Sequence, residues 1–262
     1  MRFVTLCSGS SGNATLVSHQ NTHILIDAGL SFRALKTSLA KLGLEPRDLT
    51  ALFLTHEHSD HVRGVPAIAE KTAVPIYGRR ASLEAVVLAS GTIMPDRLTA
   101  LAGDGNFEAG ELYVHPFETP HDSAACVGYS IFSPDGRKLS LVTDLGCVTE
   151  TVAKNLHNSD FVLIESNYDE QMLRTGRYPP YLKRRIASDS GHLSNAACAE
   201  VVESLVCGGT EHFVLVHLSD KNNLPKLALE TTCRRLMSRG VRPGEVTVDI
   251  APRFEMSRPF DF

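Results

Sequence analysis

No stretch of this 262-residue chain is apolar for long enough to cross a bilayer. The N-terminus, Met1-Arg2-Phe3-Val4-Thr5-Leu6-Cys7-Ser8-Gly9, lacks the apolar core of a secretion signal. Membrane partners are therefore not expected, and the cytoplasm is the expected compartment. Cysteine is sparse: the six residues (Cys7, Cys126, Cys147, Cys198, Cys207, Cys233) are widely spaced and form no Cys-x-x-Cys pair. That pattern fits reduced thiols and excludes both a disulfide framework and a thiolate metal knuckle. An excess of positive charge is also missing. With 26 basic against 30 acidic residues the formal charge is −4, which excludes a general polyanion binder and leaves room only for a local basic patch. There is no internal repeat, low-complexity segment or linker visible in the sequence, so one domain over residues 1–262 is the economical reading. What the chain does have is a 43% hydrophobic complement, enough for a sizeable core.

Apolar runs of strand type occur at 2–6, 14–18, 23–27, 51–54, 74–77, 112–117, 127–132, 138–143, 161–165, 213–217 and 245–250. Helical spacing is read after Ser31 (Leu35, Leu39, Leu42), over 62–71, weakly over 81–88, after Ser194 (Ala197, Val201, Leu205) and over 224–238. Strands come first in hairpin groups and later alternate with helices. The expected class is α/β, with two mixed sheets face to face and helices outside.

Within this frame Thr55-His56-Glu57-His58-Ser59-Asp60-His61 stands out, at the end of the apolar run Ala51–Leu54. Three imidazoles and a carboxylate in six residues are nitrogen and oxygen donors suited to Zn or Mn, with Fe also admitted. The four fixed residues of His-x-His-x-Asp-His arise by chance in roughly one such sequence in a thousand. Further ligands should be His or Asp at other strand ends, and His121, Asp144 and His217 qualify. Asp27 also ends an apolar run. It needs hydrogen-bond partners there, and holding a neighbouring loop is the expected role.

The ordered set Asp27, His56 to His61, His121, Asp144, His217 resembles the signature of the metallo-β-lactamase superfamily, across nearly the whole chain. The resemblance implies an αββα sandwich holding two divalent metal ions. It assigns His56, His58 and His121 to one ion, and Asp60, His61 and His217 to the other. Asp144 and a hydroxide bridge them, with Asp60 counted also as catalytic. Asp144 in place of cysteine points away from antibiotic hydrolysis. His58 in place of glutamate points away from flavodiiron reductases. The 45 residues after His217 (262 − 217) are too few for a glyoxalase II substrate domain.

Glu165 and Gly191-His192-Leu193-Ser194-Asn195 follow in the order of ribonuclease Z-like phosphodiesterases, in which a glutamate orients a histidine acid. The turn Ser8–Asn13, His121-Asp122-Ser123, Gly191–Asn195 and His217-Leu218-Ser219-x-x-Asn222-Asn223 resemble the bacterial WalJ/YycJ branch, whose members are DNA exonuclease-like. That implies phosphodiester hydrolysis with His192 as general acid, a nucleic-acid substrate, DNA by resemblance to the branch, and no organic cofactor. Between Glu165 and His192, the segment 173–187 holds Arg174, Arg177, Lys183, Arg184 and Arg185 with Tyr178 and Tyr181, and no acid. Such a mixture suits phosphates and unstacked bases, and a solvated face is its plain alternative. Prolines 179 and 180 favour a shaped loop over one regular helix. Ser11, Asn13, Arg174, Arg177, Arg184, Arg185 and Asn222 are the candidate substrate contacts. A small or cyclic phosphodiesterase, an iron-dependent sulfur oxidoreductase and a regulatory binding module are the competing readings.

Overall fold

A computed structural model describes residues 1–93, 95–103 and 105–262. Two seven-stranded sheets form the centre. The first runs, in spatial order, Phe260–Asp261, Arg2–Cys7, Ala14–His19, Thr22–Ile26, Ala51–Phe53, Ile76–Gly78 and Leu98–Ala100. The second runs Phe107–Ala109, Leu112–Glu118, Val127–Phe132, Lys138–Val142, Phe161–Glu165, His212–Val216 and Thr247–Ile250. In each sheet three antiparallel pairings are followed by three parallel ones. The two sheets thus share one layout without a sequence repeat, the first completed by the C-terminal strand Phe260–Asp261.

Side-chain alternation assigns each strand residue to a layer. Ile24 and Ile26 point between the sheets, where they meet Tyr129, Leu163 and Val214. Leu25 points outward beneath Leu35 and Leu39 of the helix Phe32–Lys41. In the second sheet Phe161 and Leu163 face inward. Val162 and Ile164 face outward, under Val202 and Leu205 of the helix Asn195–Cys207. Both faces are covered, which explains the unbroken apolar runs of the parallel strands. Each such side chain, fully buried, contributes about 1.5–3 kcal/mol.

Some elements differ from the sequence reading. The expected helix 62–71 is two pieces, Ser59–Val62 and Val65–Lys71. The break falls at Gly64, whose N–H donates to the Ala28 carbonyl rather than within a helix. The segment 173–187 takes in the end of one short helix, Glu170–Thr175, and all of a second, Pro180–Ile186, with Pro180 in its first turn. The helix Glu150–Leu156, capped by Thr149, and the strands Leu98–Ala100 and Phe107–Ala109 had no assignment. No helix among the described residues is long and apolar enough to cross a membrane.

Candidate metal centre and acid pair

The strand Thr22–Ile26 ends at Asp27, and its parallel neighbour Ala51–Phe53 leads through Leu54 to Thr55. Asp27 joins the two exits. Its Oδ1 accepts from Thr55 N at 2.8 Å, and its Oδ2 accepts from Thr55 Oγ1 at 2.9 Å. The same Oδ2 lies 2.7 Å from His61 Nδ1. Asp27 therefore holds the loop that carries the histidines and fixes the His61 ring. Thr55 Oγ1 also lies 3.0 Å from His56 Nδ1. Asn13, from the Ser8–Asn13 turn, donates its backbone N–H to the Asp60 carbonyl at 2.8 Å. Its Nδ2 reaches Asp60 Oδ2 at 3.3 Å and His61 Nε2 at 3.0 Å.

These contacts bring the donors together. One ligand atom each from His56, His58 and His121 fall within 4.8 Å of one another, and so do one each from Asp60, His61 and His217. Asp144 touches both groups: Oδ2 is 3.1 Å from His61 Nε2, and Oδ1 is 3.7 Å from His121 Nε2. Asp27, Asp144 and His217 all have positive φ (61°, 55° and 55°). This left-handed backbone is uncommon outside glycine and costs of order 1–3 kcal/mol per residue. Each of the three lies at or just past a strand end, where the sharp turn aims the side chain into the cluster.

The residues fit divalent cations. His56 Nε2 is buried with no hydrogen-bond partner, while His217 Nε2 and Asp144 Oδ2 have near them only other candidate ligands, Asp60 Oδ2 at 3.5 Å and His61 Nε2 at 3.1 Å, and unpaired buried polar atoms are costly. Asp27, Asp144 and Glu165 are buried carboxylates, with Asp60 partly covered beside them. Among the described residues no lysine or arginine pairs with any of the four; their partners are histidines, and cations held by the same imidazoles would supply the positive charge instead. Burial opposes the charged form of Asp144, but His217, His61 and His56 outweigh it and hold its pKa well below the usual carboxylate range. Asp60 follows the same balance, lowered by His217 and His61. Burial drives the His56 and His121 pKa values down, favouring the neutral imidazoles that metal binding requires, whereas at His61 and His217 the surrounding carboxylates outweigh burial, raising the first and pushing the second up to about 10, so a cation there displaces protons.

Glu165 is fully buried and makes four contacts. Oε1 lies 2.8 Å from His192 Nδ1 and 2.8 Å from His217 Nδ1, while Oε2 accepts from Leu145 N and Leu193 N, both at 3.1 Å. One carboxylate thus orients a candidate ligand and the candidate acid together. The His192 ring centre is 5.2 Å from that of His121 and 5.4 Å from that of His217, so it stands between the two ligand groups. Burial lowers the His192 pKa, but Glu165 and then Asp144 outweigh it and raise the value. Beneath the acid, Asn223 donates to the Ser166 and Asn167 carbonyls and to Asn195 Oδ1, while Asn167 Nδ2 donates to the His217 carbonyl. This buried polar network ties the two Asn-containing motifs to the strand exits.

The other substrate candidates are placed differently. Ser11 is exposed on its turn. Arg174, Arg177 and Arg184 are exposed, and Arg174 donates to Gln171 Oε1. Arg185 is engaged by Asp122: Nη2 donates to Oδ1 at 3.0 Å, and Nε pairs with Oδ2. Asn222 is buried, not surface-facing, and its carbonyl accepts from Asp169 N. Asp122, named in the sequence only as part of the branch motif His121-Asp122-Ser123 and given no role there, also lies 3.4 Å from His121 Nε2.

A β-lactamase superfamily domain model matches residues 22–218. Exodeoxyribonuclease YycJ of Bacillus anthracis is 34% identical over 94% of this chain and 92% of its own length. Exodeoxyribonuclease WalJ of Streptococcus pneumoniae serotype 2 is 35% identical over 90% and 88%. Among solved structures, the metallo-β-lactamase fold protein YhfI of Bacillus subtilis superposes with a TM-score of 0.71 at 18% identity, covering 98% of both chains. The short form of human tRNase Z gives 0.65 at 18% identity, also over 98% of both. The fold, the motif-bearing strand ends and the relatives agree, and the chain belongs to the metallo-β-lactamase superfamily, in the branch of the YycJ and WalJ proteins, as a metal-dependent hydrolase.

Proposed function

We propose that this protein is a two-metal deoxyribonuclease that removes nucleotides from a strand end, the 5′ end by kinship with its branch. The observation that carries the chemistry is Glu165 Oε1, shared between His217 and His192. The names of the relatives, both exodeoxyribonucleases, support DNA as the substrate. Two divalent cations, Zn or Mn, would be held by His56, His58 and His121 and by Asp60, His61 and His217, with Asp144 between them. They would supply a nucleophile from water at neutral pH and offset charge on the phosphoryl group.

The chain's own residues do the rest. Asp27 and Thr55 hold the imidazoles of the first loop, as the outer partners of ligands generally do. Glu165 occupies His192 Nδ1, which leaves Nε2 as the atom that passes a proton to the departing alkoxide oxygen. The Glu165 charge raises the pKa of that imidazole and favours its protonated form. The test is hydrolysis of end-labelled single- and double-stranded DNA and RNA by protein loaded with Mn or with Zn. Shortening of DNA from one end is the expected result. Protein that degrades no nucleic acid but turns over a cyclic or small phosphodiester efficiently would overturn the assignment.

A further inference from the structure

The Pro180–Ile186 helix is referenced to the site from two directions. Arg185 pairs with Asp122, the residue next to His121. At the helix C-terminus, His192 N donates to the Ile186 carbonyl at 2.9 Å. No side chain fits between these segments, because a Cβ on Gly191 would stand 2.2 Å from the Arg185 carbonyl. Lys183 Nζ adds a bond to the Arg174 carbonyl at 2.8 Å. A helix of this length holds its place through such ties rather than through its own propensity.

Helical spacing divides its residues. Leu182 and Ile186 are four apart and pack with Tyr168, Leu173 and Tyr178. Tyr181, Arg184 and Arg185 are spaced by three and four and share another face. Arg185 shows where that face lies, since its guanidinium is on Asp122 beside the metal cluster. Tyr181 on the same face is 67% exposed. An exposed aromatic next to an exposed arginine offers a π-surface and a cation together, the combination that receives an unstacked base and its phosphate.

We propose that Tyr181 and Arg184 form a stacking subsite for one unstacked base near the strand end being cut, with Asp122 and Arg185 as the positioning pair that sets its distance from the metal cluster. The subsite rests on the nuclease reading and adds a preference for frayed or single-stranded ends, because a base stacked inside a duplex has both faces covered by its neighbours. Arg185 then acts through the helix it holds and makes no phosphate contact of its own.

The test uses metal-loaded protein and a single-stranded oligonucleotide with 2-aminopurine at its terminal position and a phosphorothioate at the first linkage to slow cleavage. Stacking on Tyr181 should quench the fluorescence. Tyr181→Phe should keep the quench, whereas Tyr181→Ala should lose it and bind roughly 10- to 100-fold more weakly. Asp122→Asn, Arg185→Gln and the double variant should all weaken the quench to a similar degree, since any one of them opens the same pair. Tyr181→Ala that quenches and binds like the wild type overturns the subsite and leaves the nuclease reading standing if the wild type still cleaves DNA. Additive losses in the double variant, or tighter binding in Asp122→Asn, overturn the positioning role and make Arg185 a phosphate ligand. A wild type that neither binds nor cuts any nucleic acid overturns both proposals.

Discussion

At the scale of single residues the site turns on Glu165, because one oxygen serves two imidazoles. Its replacement and that of His192 should therefore differ. His192→Ala should keep its metals and lose roughly 10²–10⁴-fold in kcat, with a smaller loss on a p-nitrophenyl ester whose leaving group needs no proton. Glu165→Gln should lose kcat and also hold metal roughly 10- to 100-fold more weakly, since it loosens His217. Metal titration with kinetics on both leaving groups separates the variants. A fully metal-loaded Glu165→Gln would show that Glu165 serves the acid alone. The sequence made these residues visible through their order, which resembles that of ribonuclease Z-like phosphodiesterases. It did not show that Glu165 also holds His217, because 52 residues separate the pair. The 63-residue gap between Asp122 and Arg185 hid that ion pair in the same way, and Arg185 reads locally as one more solvent-facing cation.

At the scale of elements, the strands were legible because burial on both faces leaves unbroken apolar runs. Two of the longer helices were legible through their caps as well as their apolar spacing: Ser31 and Ser194 each accept from a first-turn N–H. Short pieces were not. Leu98–Ala100 and Phe107–Ala109 have three residues each, too few for a period. The broken helix after the metal loop follows from a contact that sequence cannot display, the Gly64 N–H bonded to the Ala28 carbonyl. Gly29 shows how closely the elements meet there. An added Cβ would stand 1.7 Å from the Asp60 carbonyl oxygen and 2.5 Å from Asn13 N, both backbone atoms. Neither atom can swing aside as a side-chain tip would. Gly29→Ala should therefore displace the loop of Asp60 and His61, destabilise by about 1–3 kcal/mol or more, and lower metal content. Urea unfolding with and without a chelator checks this. Unchanged stability together with full metal content would show that the loop has slack.

At the scale of the whole molecule, a formal charge of −4 must be reconciled with a polyanionic substrate. The buried carboxylates are matched by bound cations on this reading, so they need not repel a phosphate. What remains for binding is the small set of exposed arginines on one segment, Arg174, Arg177 and Arg184. Arg185 is neutralised by Asp122. Each phosphate contact on a single strand contributes about 0.7 to the logarithmic salt slope, and about 0.9 on a duplex. Three such contacts give a slope of about −2 to −3, modest for a nucleic-acid enzyme. Arg184→Ala should reduce that slope by about 0.7 to 0.9. Arg185→Gln should weaken binding while leaving the slope nearly unchanged, because the charge it removes is already paired within the protein. Titrations of fluorescent single-stranded DNA across a range of salt concentrations, run on the two variants side by side, decide between these outcomes. Equal flattening by both would mean that Asp122 releases Arg185 when DNA arrives, and that the pair opens in the complex.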